Sequence, residues 1–374
     1  GITLTFTKAK YKTTASIPLV NGTINYDLSD LNLIGVYIQE GEEYAKTDTI
    51  PTSGYEFNSE ESYCTINNER DDTITLNFDM TTQNLTVTPL TKKGTKCYLY
   101  FDEKASAGDT ILAASKPQGQ TTDWINKGQG VTYYYTGANP DNWVYFAGFY
   151  WRIIRINGDG SIRMIYQGTS ANTTGSGTQT GTSAFNNSYN NKTYVGLVYD
   201  GTNQHGSGTP STIMTTLNNW YNSNLASYEE KYIDTGTGFC SDRNMASGSN
   251  FNSSGTIFYA PYNRTSSGSL QCNELDVLSQ DNGKLPNPIG LLTSDEYVLA
   301  GSGNSYLDVG IDYWTMSPYH FLDGYAHVSH VSPYHSNISN RRVHNTSGVR
   351  PVINLKSAIA IIGSGTSGDP FKVG

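Results

Sequence analysis

The chain has 374 residues, 36% of them apolar and 15% charged, with 24 basic against 33 acidic side chains. That length excludes a stapled miniprotein and has room for two domains, while the net charge of −9 and the lack of clustered Lys and Arg argue against a nucleic-acid-binding surface, which must neutralise phosphates. Gly, Tyr, Asn, Ser and Thr abound, as in secreted β-rich proteins, and no run approaches the roughly 20 apolar residues that cross a bilayer.

Residues 1 to about 103 read as short alternating strands. ITLTF, NLIGVYI, TITLNF, NLTVTPL and CYLYF place apolar residues two apart, with turn formers at the breaks. Ile74, Leu76 and Phe78 face one way and meet Leu85 and Val87 across a predicted hairpin. The expectation is an all-β, Ig-like sandwich over residues 1–118. The pattern dissolves between Glu103 and Gln120, where a domain boundary is expected.

The second domain, residues 119–374, reads as α+β. Two apolar strands in NWVYFAGFYWRIIRINGDGSIRMIYQG are joined at Asn157-Gly158-Asp159-Gly160, a strong hairpin signal. Residues 168–208 are rich in Gly, Ser, Thr and Asn and read as long polar loops. Ser211 caps a predicted helix in which Ile213, Leu217, Trp220, Tyr221 and Leu225 repeat at helical spacing. A shorter helix is predicted to start at Thr293 or Ser294, with Asp295 and Glu296 in its first turn. Strands return in YWTMSP, YAHVSHV and GVRPVINL.

Cys64 and Cys97 lie 33 positions apart, and Cys240 and Cys272 lie 32 apart, with no CxxC. Two local disulfides are expected rather than a metal site. Each would stabilise by roughly 3 to 4 kcal/mol in the chain-entropy model, and an oxidising compartment follows. Cys97, Leu99 and Phe101 share one strand face, as buried bridging partners in a sandwich would. The chain opens at Gly1 without Met, which fits a leader or anchor removed from in front of it and equally a fully soluble secreted protein.

Five of the six histidines, His320, His327, His330, His335 and His344, crowd one segment. Alternation along a strand sends His327 and His330 to opposite faces, and likewise His330 and His335, which argues against a metal site. No cofactor is assigned. No GxSxG, HExxH, Walker A or supported GxGxxG occurs, and Asp295 and Glu296 are adjacent rather than facing across a cleft, so catalysis is not expected.

From Tyr319 to Gly348 there is no Lys, Glu, Gln, Trp or Met. Those are the types that mutation of the adenines in an AAC codon never reaches. IDYWTMSP, the polar stretch after it and the closing GVRPVINLK resemble the variable region of proteins diversified by retroelements through adenine-directed mutagenesis, a region carried on a C-type lectin fold. NWVYFAGFYWRIIRINGDGSIRMIY, FCSDR, QCNELD, GLLTSDEYVLAG and the terminal GSGTSGDPFKV are similar to segments of bacterial surface proteins of Gram-positive type. The resemblance covers most of residues 130–374 and, more weakly, the first domain.

The resemblance implies a receptor or adhesin at the cell surface, anchored through a segment outside this chain and binding a protein or glycan on another cell, a phage or a host. The lectin-type domain would present variable segment 319–348, with the sandwich as stalk. Trp314, Met316, Val349, Val352, Ile353 and Leu355 would flank the segment as core. Phe321, Ala326, Val328, Val331, Ile338 and Val343 would anchor it inward. The positions compatible with mutated codons, and so the expected ligand-binding set, are His320, Leu322, Asp323, Tyr325, His327, Ser329, His330, Ser332, Tyr334, His335, Asn337, Ser339, Asn340, Arg341, Arg342, His344 and Asn345. Of these, Tyr325, His327, His330, Tyr334, His335, Arg341, Arg342 and His344 are expected to be exposed. The histidines imply binding that responds to pH near 6 to 7. An undiversified glycan-binding lectin or pilus-tip adhesin is the alternative.

Overall fold

The computed structural model describes residues 31–51, 54–80, 82–89, 94–122, 130–206, 208–251, 255–281, 285–335 and 338–373. The strand predicted at ITLTF lies outside them. Strands dominate and helices are few, so the chain is mostly β with an α+β second part. It divides into two compact units between Ala105 and Ser106.

In the first unit, a five-stranded sheet runs in the order Glu43–Thr47, Leu31–Glu40, Thr95–Glu103, Tyr55–Ile66, Glu69–Arg70. Leu31–Glu40 pairs parallel with Thr95–Glu103. Period-two burial along Thr95–Glu103 puts Thr95, Cys97, Leu99 and Phe101 inside. The hairpin of Thr75–Asp79 and Asn84–Thr88 covers that face. Leu76 sits opposite Val87 and Phe78 opposite Leu85, all four buried, as the alternation predicts. Cys64 is bonded to Cys97, directly opposite it on the neighbouring strand. The bridge therefore lies within one sheet rather than between the two layers. Glu43–Thr47 and Tyr55–Ile66 carry too many charged and polar residues to read as strands from sequence.

The second unit begins earlier than the sequence suggests. Ser106 caps a helix, Ala107–Ala114: its hydroxyl accepts from Asp109 N at 3.0 Å, while its own N–H donates to the Asp109 carboxylate at 2.9 Å. The helix buries Ala107 and Ile111 in the core of this unit. A Cβ on Gly108 would meet Gly160 O at 2.8 Å and Ile156 Cγ2 at 2.6 Å, so glycine is what lets the helix approach the sheet. Residues 106–118 thus belong with the second unit, not with 1–105.

An eight-stranded sheet forms its base, running from Val352–Leu355 at one end through Ile162–Gly168, Phe149–Ile156 and Trp143–Phe146. The expected two apolar strands are in fact three. Besides the turn at Asn157–Gly160, Ala147 and Gly148 take φ of 54° and 83° and close a tight hairpin between Trp143–Phe146 and Phe149–Ile156. The polar stretch 168–208 is also more ordered than loops: Gly181–Ala184 is a strand, and Phe185, Val195, Leu197 and Val198 are buried core.

The predicted helices are present as Thr212–Asn224 and Ser294–Leu299. In the second, Thr293 and Glu296 form a capping box. Glu296 does more than start the helix. Its carboxylate accepts from Arg163 at 2.5 Å and Arg155 at 3.1 Å, on neighbouring strands of the sheet, with all three side chains almost wholly buried. Burial pushes the Glu296 carboxyl up, but the two guanidiniums outweigh this and hold it below the usual range. Asp295 instead accepts from Arg264 at 2.7 Å. Cys240 is bonded to Cys272.

A second sheet, of six strands, carries the segment of interest: Gly181–Ala184, Thr346–Val349, Tyr313–Leu322, Tyr325–Val331, Ser339–Arg342, with Ile257–Phe258 added beside Tyr313–Leu322. Trp314, Met316, Val349, Val352, Ile353 and Leu355 are all buried in the core, as expected.

Candidate functional site

Most of segment 319–348 is sheet. Tyr313–Leu322 and Tyr325–Val331 form a hairpin closed by Asp323 and Gly324, with φ of 51° and 80°. Asp-Gly suits the double left-handed turn that matches strand twist. Ser339–Arg342 then pairs with Tyr325–Val331, placing His327 opposite Arg342, Ser329 opposite Asn340 and His330 opposite Ser339. Ala326, Val328, Val331, Ile338 and Val343 point into the core, and Phe321 packs partly buried against it.

The candidate residues separate into two groups. Asp323, Tyr334, His335, Arg342 and Asn345 are exposed, and Leu322, Tyr325, His327, Ser339, Asn340, Arg341 and His344 are half-buried. Tyr334 is 86% exposed. His320, Ser329, His330 and Ser332 are buried. Asn337 lies outside the described residues.

The exposure expected of His330 is therefore corrected. It shares strand parity with Ala326 and Val328, which face the core, and its ring lies 6.3 Å from Trp314. Ser329 is fully buried, and its carbonyl accepts from Thr315 Oγ1 at 2.7 Å. His320 stands opposite His327 across the hairpin, with ring centroids 4.3 Å apart. Phe258, Tyr262 and Tyr319 surround it.

Electrostatics correct the pH expectation as well. Burial, with His327 adding to it, pushes His320 down to about 4. Burial likewise takes His330 down to about 4, against the opposing pull of Asp312. Burial also lowers His327, whose Nδ1 is 2.8 Å from the Asn340 amide oxygen. His320 and His330 therefore stay neutral through pH 6 to 7, and neither of these two supplies a switch there.

Beside the turn of the hairpin, Tyr325 and His344 belong to one aromatic cluster. Tyr325 stacks on Tyr189 at 5.3 Å and on His344 at 5.6 Å, and Tyr189 lies 5.1 Å from His344. The Arg342 guanidinium sits 3.8 Å from the centre of the Tyr325 ring. Tyr189 is 44% exposed and is held there by its carbonyl, which accepts from Ala326 N at 2.8 Å. Sequence reasoning missed Tyr189, Phe258 and Tyr262 because all three lie far from the segment in sequence. Tyr189 is marked only as an isolated aromatic in NNSYNNK, and Phe258 and Tyr262 only by the aromatic run IFYAPY.

Among the described residues, no group of three or more His, Cys, Asp or Glu is arranged to hold a metal ion, and no helix is long and apolar enough to cross a membrane. The two disulfides fit an oxidising, extracytosolic compartment. No protein-family model, no curated protein and no solved structure matches the chain.

Proposed function

We propose that this chain is a ligand-binding receptor or adhesin of a bacterial surface. In this reading the second unit has a C-type lectin fold, and residues 319–348 are a binding face diversified by adenine-directed retroelement mutagenesis. The first unit, read as an Ig-like sandwich, is a spacer. The observation that carries the proposal is the division of labour along one sheet. Small and branched apolar residues lock the segment to the core, while Tyr325, His327, Arg342 and His344 stand together at the surface. Such an arrangement tolerates exchange of the outer side chains with little effect on the fold, because surface substitutions away from special features usually change stability by less than about 0.5 kcal/mol. Tyr and Arg are also the side chains that most often dominate binding interfaces.

The DNA flanking the gene tests this. A reverse-transcriptase gene and a near-identical copy of the segment, differing from it only at adenines of the copy, are the expected result. Flanking DNA with neither feature overturns diversification. The second reading, an undiversified glycan-binding lectin or adhesin, is favoured by one feature: Tyr189, a main member of the aromatic cluster, comes from outside the segment.

A further inference from the structure

Every arginine of this chain but one has an ion-pair or hydrogen-bond partner among the described residues. Arg70 pairs with Asp72, Arg155 and Arg163 with Glu296, Arg243 with Asp276, Arg264 with Asp295 and Arg341 with Asp312. Arg152 donates to Asn142 and Pro140, and Arg350 to Gln167 and backbone carbonyls. The Arg342 side chain has no hydrogen bond or ion pair among the described residues. It is exposed, and what it has is the Tyr325 ring beneath it at 3.8 Å. Stacking fixes the guanidinium plane and leaves its N–H groups to the surroundings, in the fork geometry that matches a carboxylate.

The same Tyr325 ring has a second partner. Tyr189 is stacked on it, and its 44% exposure leaves ring area open. A guanidinium and an open ring that share one Tyr325 call for a ligand that joins a carboxylate to a compact apolar C–H face. A carboxylated pyranose, a uronic or sialic acid, has both within one ring. An acidic peptide has the carboxylate but spreads its apolar surface along a flexible chain.

Taking this face as the binding face, we propose that its ligand is an acidic glycan, with the sugar carboxylate held by Arg342 and the ring laid on Tyr189. The binding is short-range: one fork and one ring supply it, and salt weakens it as it weakens any exposed ion pair.

The test uses the full chain in calorimetric titrations with trigalacturonate and 3′-sialyllactose, each beside the methyl ester of the same sugar and a glutamate-rich peptide. The expected result is that an acid sugar binds and that its ester binds about tenfold or more weakly, as for loss of a hydrogen bond to a charged group. Arg342→Gln should abolish the difference between acid and ester, and Tyr189→Ala should weaken both forms while keeping the difference. Both residues are at the surface, so unchanged thermal melting checks that the variants fold. Equal binding of acid and ester, binding of the peptide alone, or binding of none of these probes overturns the ligand class. None of those outcomes bears on diversification, which the flanking DNA tests separately.

Discussion

Glu296 and His320 show how single buried side chains shape this molecule in opposite senses. Glu296 neutralises two arginines inside the second unit. Glu296→Gln leaves two guanidiniums buried without their counter-charge and should cost about 3–5 kcal/mol, read as a lower denaturant midpoint at unchanged slope. His320 is buried among rings, and neither of its nitrogens has a hydrogen-bond partner. With its folded-state value depressed to about 4, the unfolded chain takes up a proton first as pH falls below the ordinary histidine value of about 6.5. The stability this residue contributes is therefore whole above about pH 6.5 and lost as pH falls toward 4, at up to about 1.4 kcal/mol per pH unit. His320→Phe should melt no lower than the parent at pH 7 and lose less between pH 7 and pH 5. A variant that melts well below the parent at pH 7, or loses as much in acid, would contradict this account of the site.

At the scale of elements, the helix Ala107–Ala114 and the hairpin of the candidate face are the informative cases. The helix docks Ile111 into the second unit, and Ala107 N donates to Ser357 O at 2.7 Å. A fragment of residues 106–374 should unfold cooperatively. One of residues 119–374 should be weaker by about 2–5 kcal/mol for the loss of Ile111 alone, and equal denaturation midpoints would refute the assignment. Sequence reasoning placed this helix in a boundary region because its eight residues show only a short apolar pattern, although Ser106 and Asp109 spell a capping box. Where periodicity was long, as in Thr212–Asn224 or the hairpin of Leu76, Phe78, Leu85 and Val87, the elements were legible. The candidate face was legible only in part. Ala326 and Val328 follow from alternation, which carried two residues further already puts His330 inside, whereas Val331 is buried although its parity is opposite. The contact of His320 with His327 depends on register across a turn, and Tyr189 arrives through tertiary packing, which no local pattern records.

In the proposed function the molecule as a whole is a fixed β scaffold that carries a face of exchangeable side chains. Sequencing the gene from many cells of one population tests it most directly. Substitutions should concentrate at the codons of Asp323, Tyr325, His327, Tyr334, Asn340, Arg342 and His344, at positions that are adenines in the template. Trp314, Met316, Ala326, Val328, Val331, Ile338 and Val343 should remain unchanged. Substitutions spread evenly along the chain, or a segment 319–348 identical in every cell, would contradict the account.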